Sequence, residues 1–438
     1  MNHLIRIHTW LLIAAIGLFA QSCTEDNDGH LDLTTESFTG VSTDGETLSV
    51  GVSSDMSWKV TSSQPGWCSV TPVTGRGNGN ITVTVEPNIE TATRRAVITV
   101  SALSGSPTRM VEVVQDAASG SIDDYVYDLP VIFHVLYRSE SDPLQHVSAT
   151  RLRDVLETAG RLYRHNYDGV DIKVTFHLAP ADPDGNRLDT PGVEYVRWDG
   201  AYPINCEAFM DDESGRYVKY LWDPNRYINV MVYNFADESE SGGVTLGISH
   251  MPLSYSGSYL DGLSKVDYQT LTLDNLKFPY CVSINSLYIN QQSDAAYYNA
   301  SDVTVTLAHE LGHYLGLHHA FSESEDGGCE DTDYCADTPS YDRQDYESYL
   351  MYLAETNSPL YSFDHLVTRT TCDGATFTSR NIMDYMICHS DRFTPDQRAR
   401  VRHVLMYSPL IPGPKRTVAA KSRAAGDMPL DLPIVTRR

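Results

Sequence analysis

A multidomain fold, an all-β sandwich followed by an α/β domain, is predicted by three features of the sequence. Up to residue 117, short runs rich in β-branched residues alternate apolar with polar, the period of a half-buried strand. From about residue 125, strand-like runs alternate with helical ones, which indicates layered α/β structure. One helix of this second part carries two histidines four residues apart, with a glutamate beside the first. The 438 residues suit two or three domains at about 100–200 residues each. With 41% hydrophobic and 10% aromatic residues the chain can build ordinary cores, which excludes a mostly disordered protein.

Charge narrows the function classes. Lys and Arg total 32 against 58 Asp and Glu, a formal charge of −26. Nucleic-acid binding needs clustered cations on phosphates, so no nucleic-acid partner is expected. Electrostatic docking on anionic lipid is disfavoured for the same reason. No apolar run reaches about 18 residues, so no ordinary transmembrane helix is expected.

Residues 1–22 read as an export signal, with Arg6 supplying positive charge and Trp10 to Ala20 a short apolar stretch. Ala20-Gln21-Ser22-Cys23 resembles a bacterial lipobox, with Ala20 where Leu is usual and a polar Gln21; a plain secretory signal cut near Ser22 is the alternative. The acidic residues Thr24-Glu25-Asp26-Asn27-Asp28 follow, and residues 23–36 read as a tether. The expectation is an exported protein, lipid-anchored through Cys23 at the outer membrane or cell surface of a Gram-negative bacterium. Eight cysteines fit that oxidising setting. With Cys23 lipidated, Cys68, Cys206, Cys281, Cys329, Cys335, Cys372 and Cys388 remain, an odd number that leaves at least one thiol. Cys68, beside Trp67 in an apolar alternation, reads as a buried core thiol.

Residues 37–117 form the predicted sandwich. Trp58 to Val60, Trp67 to Val70, Ile81 to Val85, Ala96 to Val100 and Met110 to Val114 are its strands, punctuated by Gly75 to Asn80 and Ser104 to Pro107. Trp58, the Trp67…Pro72…Gly75 segment, Pro87-Asn88, Arg95 to Ile98 and Val114-Gln115 together resemble a BACON domain, an Ig-like module of surface lipoproteins. The resemblance implies carbohydrate binding, so a glycan or mucin-type glycoprotein is kept as a partner. No row of exposed aromatics is evident, and Trp58 and Trp67 read as core rather than sugar platforms. Spacer and adhesive module both stay open.

Residues 118–124 are a short, mostly polar linker, and residues 125–408 the α/β domain. Leu129 to Tyr137, Ile172 to Leu178, Tyr227 to Tyr233, Leu246 to Ser249 and Cys281 to Ile289 read as strands. Ser148 to His165 reads as a helix with Ser148 as N-cap. The last helix opens at Thr394-Pro395-Asp396-Gln397, where Thr, Pro at the first helical position and Gln three residues on form a capping box. Residues 409–438, rich in Pro, Ala, Lys and Arg without period, read as a flexible tail.

The decisive segment is His309-Glu310-Leu311-Gly312-His313-Tyr314-Leu315-Gly316-Leu317-His318-His319. The helix starts near Ser301 or Asp302. His309 and His313 leave one face a turn apart and can bind one zinc. Glu310 projects beside them, placed to take a proton from water. Gly316 can end the helix in a left-handed turn, which lets His319 swing back as third ligand. Three protein ligands plus water is the catalytic arrangement, whereas a structural site closes with four. With 15 His and 29 Gly in the chain, this pattern arises by chance in on the order of one such sequence in ten thousand. His318 lies out of register and reads as a surface residue or a support to a ligand.

Downstream, Asn381-Ile382-Met383-Asp384-Tyr385 resembles the Met-turn of metzincins, whose Met forms an apolar floor beneath the three histidines. Leu129 to Val135, the His-Glu motif, Asp337-Thr338-Pro339, this turn and Phe393-Thr394…Gln397 make the second part similar to the pappalysin family of metzincin endopeptidases. The resemblance spans essentially the whole second domain. It implies an α/β metzincin (zincin-like) catalytic domain, zinc as cofactor, a protein or peptide substrate, Glu310 as general base and Tyr385 near the oxyanion. It implies that an edge strand, matching Leu246 to Ser249, pairs with substrate. It also implies two interleaved disulfides. Cys329–Cys372 maps onto the first, and the second requires Cys335–Cys388, with Cys372–Cys388 as a rival. Some relatives bind calcium here, and Glu323, Glu325, Asp326, Glu330, Asp331 and Asp333 admit Ca2+, but a solvated acidic loop is the favoured reading. Pappalysins that prefer a basic residue after the cut use an acid where this chain has Ile387, so that preference is not carried over. Two rivals remain, an adhesin with an inert second domain and a metal-dependent hydrolase of non-peptide bonds. Glu310 speaks against the first and the Met-turn against the second.

Overall fold

The computed structural model describes residues 29–164, 169–236, 244–294, 297–324, 328–385, 387–416 and 428–437. The export signal, Cys23 and the acidic residues after it lie outside the described residues. Among the described residues, a strand-rich N-terminal region is followed by a mixed α/β region.

The N-terminal region folds as two sheets because its apolar side chains recur at every second position. In Arg94–Ala102, for example, alternate residues are buried. One sheet takes the order Leu31–Leu33, Glu46–Ser54, Gly79–Val85, Cys68–Thr71. The other takes the order Ser37–Val41, Thr108–Gln115, Arg94–Ala102, Ser57–Ser62, Thr74–Arg76. Val50, Val60, Ile81, Val83, Ile98, Val100, Val111 and Val113 fill the core. Trp58 is 1% exposed and Trp67 4%, so neither indole offers a face to a sugar. Trp58 lies against Gly75, where a Cβ would come within 2.2 Å of its ring, and its Nε1 donates to Gly77 O at 2.9 Å. Burial pushes the Cys68 thiol up to about 11. Leu31–Leu33 pairs with Glu46–Ser54, so the sandwich takes up residues that the sequence reading placed in the tether 23–36. An acidic, Thr-rich stretch hides that strand, since only Leu31 of the three is buried.

In the second region Val174–Leu178, Tyr127–Tyr137, Ile228–Tyr233 and Val282–Asn285 lie parallel in that order. Val193–Arg197 also pairs parallel with Tyr127–Tyr137. Gly247–His250 then runs antiparallel beside Val282–Asn285. Strands buried on both faces read as continuous apolar runs, as in Ile228–Tyr233, where every residue is buried. The helix Ala149–Leu162, capped by Ser148, turns Leu152, Val155, Leu156 and Ala159 inward and packs against the helix Val303–Tyr314. The capping box at Thr394 and Gln397 opens the helix Pro395–Tyr407. The helix Arg343–Glu355, absent from the sequence reading, buries only Tyr346 and Leu353, too few apolar positions to register as a stripe. No helix among the described residues is long and apolar enough to cross a membrane.

The flexible tail assigned to residues 409–438 is corrected for its described part. Leu410 and Ile411 are fully buried, and Val435–Arg437 joins the sheet antiparallel to Gly247–His250. Isolated apolar anchors among Pro, Ala, Lys and Arg have no period, so a pattern search passes over them.

Trp58→Ala should destabilise the N-terminal sandwich by about 3–5 kcal/mol, because it empties the centre of that core. Calorimetry should show its transition fall while that of the second region is unchanged.

Candidate metal centre

The helix Val303–Tyr314 is held from both ends. Asp302 caps its start, its carboxylate accepting from the Thr304 and Val305 N–H groups. At the other end Gly316 adopts φ +96°, and Leu317 N–H donates back to Gly312 O at 2.9 Å. Only glycine takes this left-handed turn without cost. Space also requires it, since a Cβ at Gly316 would lie 2.6 Å from Val404. The chain therefore reverses as its glycine suggested, and His319 returns to the helix face.

There the three imidazoles converge. His313 Nε2 lies 3.0 Å from His309 Nε2 and 3.1 Å from His319 Nε2. All three residues are buried. Each opposite ring nitrogen faces an acceptor. His309 Nδ1 meets Ile382 O at 2.8 Å, His313 Nδ1 meets Leu317 O at 2.7 Å, and His319 Nδ1 meets Glu323 Oε1 at 2.5 Å. Carbonyl and carboxylate oxygens only accept, so each Nδ1 carries the proton and each Nε2 presents a lone pair. The lone pair of His313 thus lies 3.0 and 3.1 Å from those of His309 and His319, and such like-charged ends repel unless a cation sits among them. The donor set thus fits a metal ion, and a borderline-soft one that favours imidazole. Among the described residues these histidines are the one group arranged to hold a metal.

The surroundings match this set. Glu310 is fully buried, and its side chain lies against Gly247, where a Cβ would come within 2.6 Å of Glu310 Cγ and 2.8 Å of Oε1. Met383, also fully buried, packs under the helix at Gly312, where a Cβ would come within 2.5 Å of its sulfur. Met383 O accepts from Ala320 N–H at 3.0 Å, which ties the turn to the segment bearing His319. The Tyr385 ring stands edge-on to His319 at 4.4 Å and 5.7 Å from His309.

His318 is not a surface residue. It is 8% exposed and packs on Tyr334 at 5.3 Å, and its Nδ1 stands 3.9 Å from Glu323 Oε2. Burial, with Arg400 nearby, pushes it down to about 4.

Sequence reasoning missed several supports. Glu323 entered only as a calcium candidate, yet it holds His319, and the His319-to-Glu323 spacing of four was a usable signal. Arg369, 1% exposed, lies 3.6 Å over the Tyr346 ring and donates to Ile387 O at 2.9 Å. Asp384 accepts from Tyr341 Oη at 2.5 Å, from the Ser379 hydroxyl and from Tyr385 N–H at 2.7 Å. No local pattern announces that network. Asp337 Oδ2 accepts from Asp396 N–H at 2.9 Å and so braces the last helix.

The acidic residues do not assemble into a cation site among the described residues. Glu323 is engaged with His319, and Asp333 accepts from Thr338 Oγ1 at 2.6 Å, while Glu325 and Asp326 lie outside the described residues. Cys329 and Cys372 form a disulfide. The second bridge is absent: its rival Cys372–Cys388 is excluded because Cys372 is bonded to Cys329, and Cys335 and Cys388 are both buried free thiols with different partners. Cys335 sits in the Asp333 turn, its N–H donating to Asp333 Oδ1 at 2.9 Å, while Cys388 Sγ lies 3.3 Å from Asn381 O. Burial pushes the Cys388 thiol up to about 11.

Residues 211–406 match the family model Peptidase_M43, described as pregnancy-associated plasma protein-A. The pappalysin resemblance is thereby shown. Residues 30–118 match BACON_2, described as a viral BACON domain. An extracellular metalloprotease of Arthroderma otae is 51% identical over 177 residues, which is 39% of this chain and 53% of that protein. Extracellular metalloproteases of Arthroderma benhamiae and Trichophyton verrucosum are each 36% identical over 99 residues, 22% of this chain and 29% of theirs. The chain thus spans between about a third and a half of the length of these relatives. Among solved structures, a Bacteroides ovatus GH5 xyloglucanase in complex with a XXXG heptasaccharide matches at TM-score 0.19 and 16% identity, covering 49% of this chain and 58% of that one. That likeness is too slight to carry an argument.

Glu323→Ala should weaken metal affinity about 10–100-fold, the usual effect of removing the partner that orients a ligating His. His319→Ala should abolish stoichiometric metal and His318→Ala should retain it. Competition titration with a chromogenic chelator measures all three, and metal loss confined to His318→Ala would reverse the ligand assignment.

Proposed function

We propose that the protein is a zinc endopeptidase of the metzincin type that hydrolyses peptide bonds of extracellular proteins. The observation that carries this reading is the convergence of three Nε2 lone pairs beside the buried Glu310, within a segment matching a peptidase family. His309, His313 and His319 would hold the metal. Bound zinc supplies Lewis acidity, which polarises the scissile carbonyl and acidifies water to a pKa of about 7.

The chain's own residues do the rest. Glu310 accepts a proton from the attacking water as the new C–O bond forms, then delivers it to the amine as the C–N bond breaks. Burial of Glu310 keeps bulk water from competing for that proton. Tyr385, beside His309 and His319, donates a hydrogen bond to the oxyanion of the tetrahedral intermediate. Extended substrate would pair along the outer side of Gly247–His250, the side that Val435–Arg437 occupies in this structure, through main-chain groups that recognise any sequence.

The N-terminal module serves in this reading as a spacer, supported by the burial of Trp58 and Trp67. A glycan or mucin-type partner through the same module is tested by glycan-array binding. Export agrees with the names of the fungal relatives. Anchoring through a lipid at Cys23 on a Gram-negative surface rests on the lipobox-like Ala20 to Cys23 alone.

Glu310→Ala should retain zinc by elemental analysis and lose digestion of a peptide library. Tyr385→Phe should retain both zinc and its thermal midpoint while kcat falls about 10²–10³-fold, the worth of one oxyanion donor. Full activity of purified Glu310→Ala would sink the proposed role, and near-native kcat in Tyr385→Phe would make that ring a packing residue. Cys23→Ala should move the protein from the membrane fraction to the soluble one. Retention in the membrane would place the tether elsewhere.

A further inference from the structure

The antiparallel strand Gly247–His250 has two sides. One pairs with Val282–Asn285. The other is taken by Val435–Arg437, with Val435 opposite His250, Thr436 opposite Ser249 and Arg437 opposite Ile248. Met251 N–H extends the pairing by donating to Ile434 O at 2.7 Å. Further back, Leu430 N–H donates to Asn275 O at 2.8 Å and Asn275 Nδ2 donates to Met428 O at 3.0 Å.

This strand begins beside the candidate general base, since Gly247 is the residue whose missing Cβ leaves room for Glu310. The antiparallel register carries the segment toward that end, bringing Arg437 opposite the residue next to Gly247. A sheet edge offers main-chain donors and acceptors to any extended chain. Here those groups are engaged from within the same polypeptide. The hold is slight. The pairing strand has three residues, Ile434 is 41% and Met428 53% exposed, and Leu430, Leu432 and Val435 are only partly buried. Leu410 and Ile411, by contrast, are fully buried and would stay in place if the later segment left.

We propose that residues 428–437 form an internal strand that covers the peptide-pairing edge beside the metal centre, and that this strand must be displaced or removed before an extended polypeptide can pair there. The proposal rests on the peptidase reading of the site. Its physical content is competition. Apparent affinity for an extended peptide falls in proportion to the fraction of molecules whose edge is uncovered. A substrate too short to reach the edge is indifferent to the strand.

The test compares three full-domain proteins: the native chain, a variant lacking residues 431–438, and Thr436→Pro, whose central strand residue loses its N–H. A fluorescent peptide with the sequence of residues 428–438 is titrated by anisotropy. It should bind the shortened chain and Thr436→Pro at least about tenfold more tightly than the native chain. On a ten-residue peptide substrate, KM should fall about tenfold in both variants at unchanged zinc content, with kcat nearly constant. A blocked dipeptide substrate should show no change. Equal binding of the labelled peptide by all three proteins, or binding by none, overturns the proposal. Peptide binding as expected with no cleavage by any of the proteins overturns the peptidase reading and leaves the covered edge standing.

Discussion

The second region is organised around one electrostatic problem. Three imidazole lone pairs are aimed at one point, with Nε2 atoms 3.0 and 3.1 Å apart. That arrangement is unfavourable without a cation, and it persists because each ring is locked from behind. The locks come from three different places: the carbonyl of Ile382 in the turn, the carbonyl of Leu317 just past the helix, and the carboxylate of Glu323 beyond it. A donor set so built is preorganised, because its tautomers are fixed by the protein itself. The cost of holding the rings is carried by the buried helix, by the Met383 turn and by the reversal at Gly316.

Close approach is the second constraint. Gly312 lets the Met383 sulfur come up under the helix, and Gly247 lets the edge strand come up against Glu310. Both glycines act through a missing Cβ rather than through conformational freedom, for neither has a positive φ. These close approaches bring Glu310, the three histidines and the strand Gly247–His250 together.

The turn itself depends on a buried charge network. Arg369 and Asp384 stand 3.9 Å apart, both nearly inaccessible, and neither would be tolerated there alone. Tyr341 and Ser379 donate to Asp384, and the backbone carbonyls of Leu366 and Ile387 accept from Arg369. The network holds Asp384, the residue between Met383 and Tyr385, and so fixes where the floor and the phenol ring sit. Removing one member leaves a buried charge without its partner, which is costly.

What could be read from the sequence was local and periodic. The i, i+4 histidines with an adjacent glutamate, the glycine three residues past His313, the capping box at Thr394 and the period-two strands around Trp58 are each set by neighbours a few residues away. Dihedral preference and side-chain direction alone predict them. The structure decided what depends on residues far apart in the chain. Glu323 reaches His319 only after the helix reverses. Arg369 meets Asp384 across a loop with no pattern of its own, and Cys335 and Cys388 are buried as separate free thiols. The strand Val435–Arg437 shows the difference most plainly. Three residues carry too little periodicity to announce a strand, and only the open edge of Gly247–His250, assembled from residues nearly two hundred positions earlier, gives them one to join.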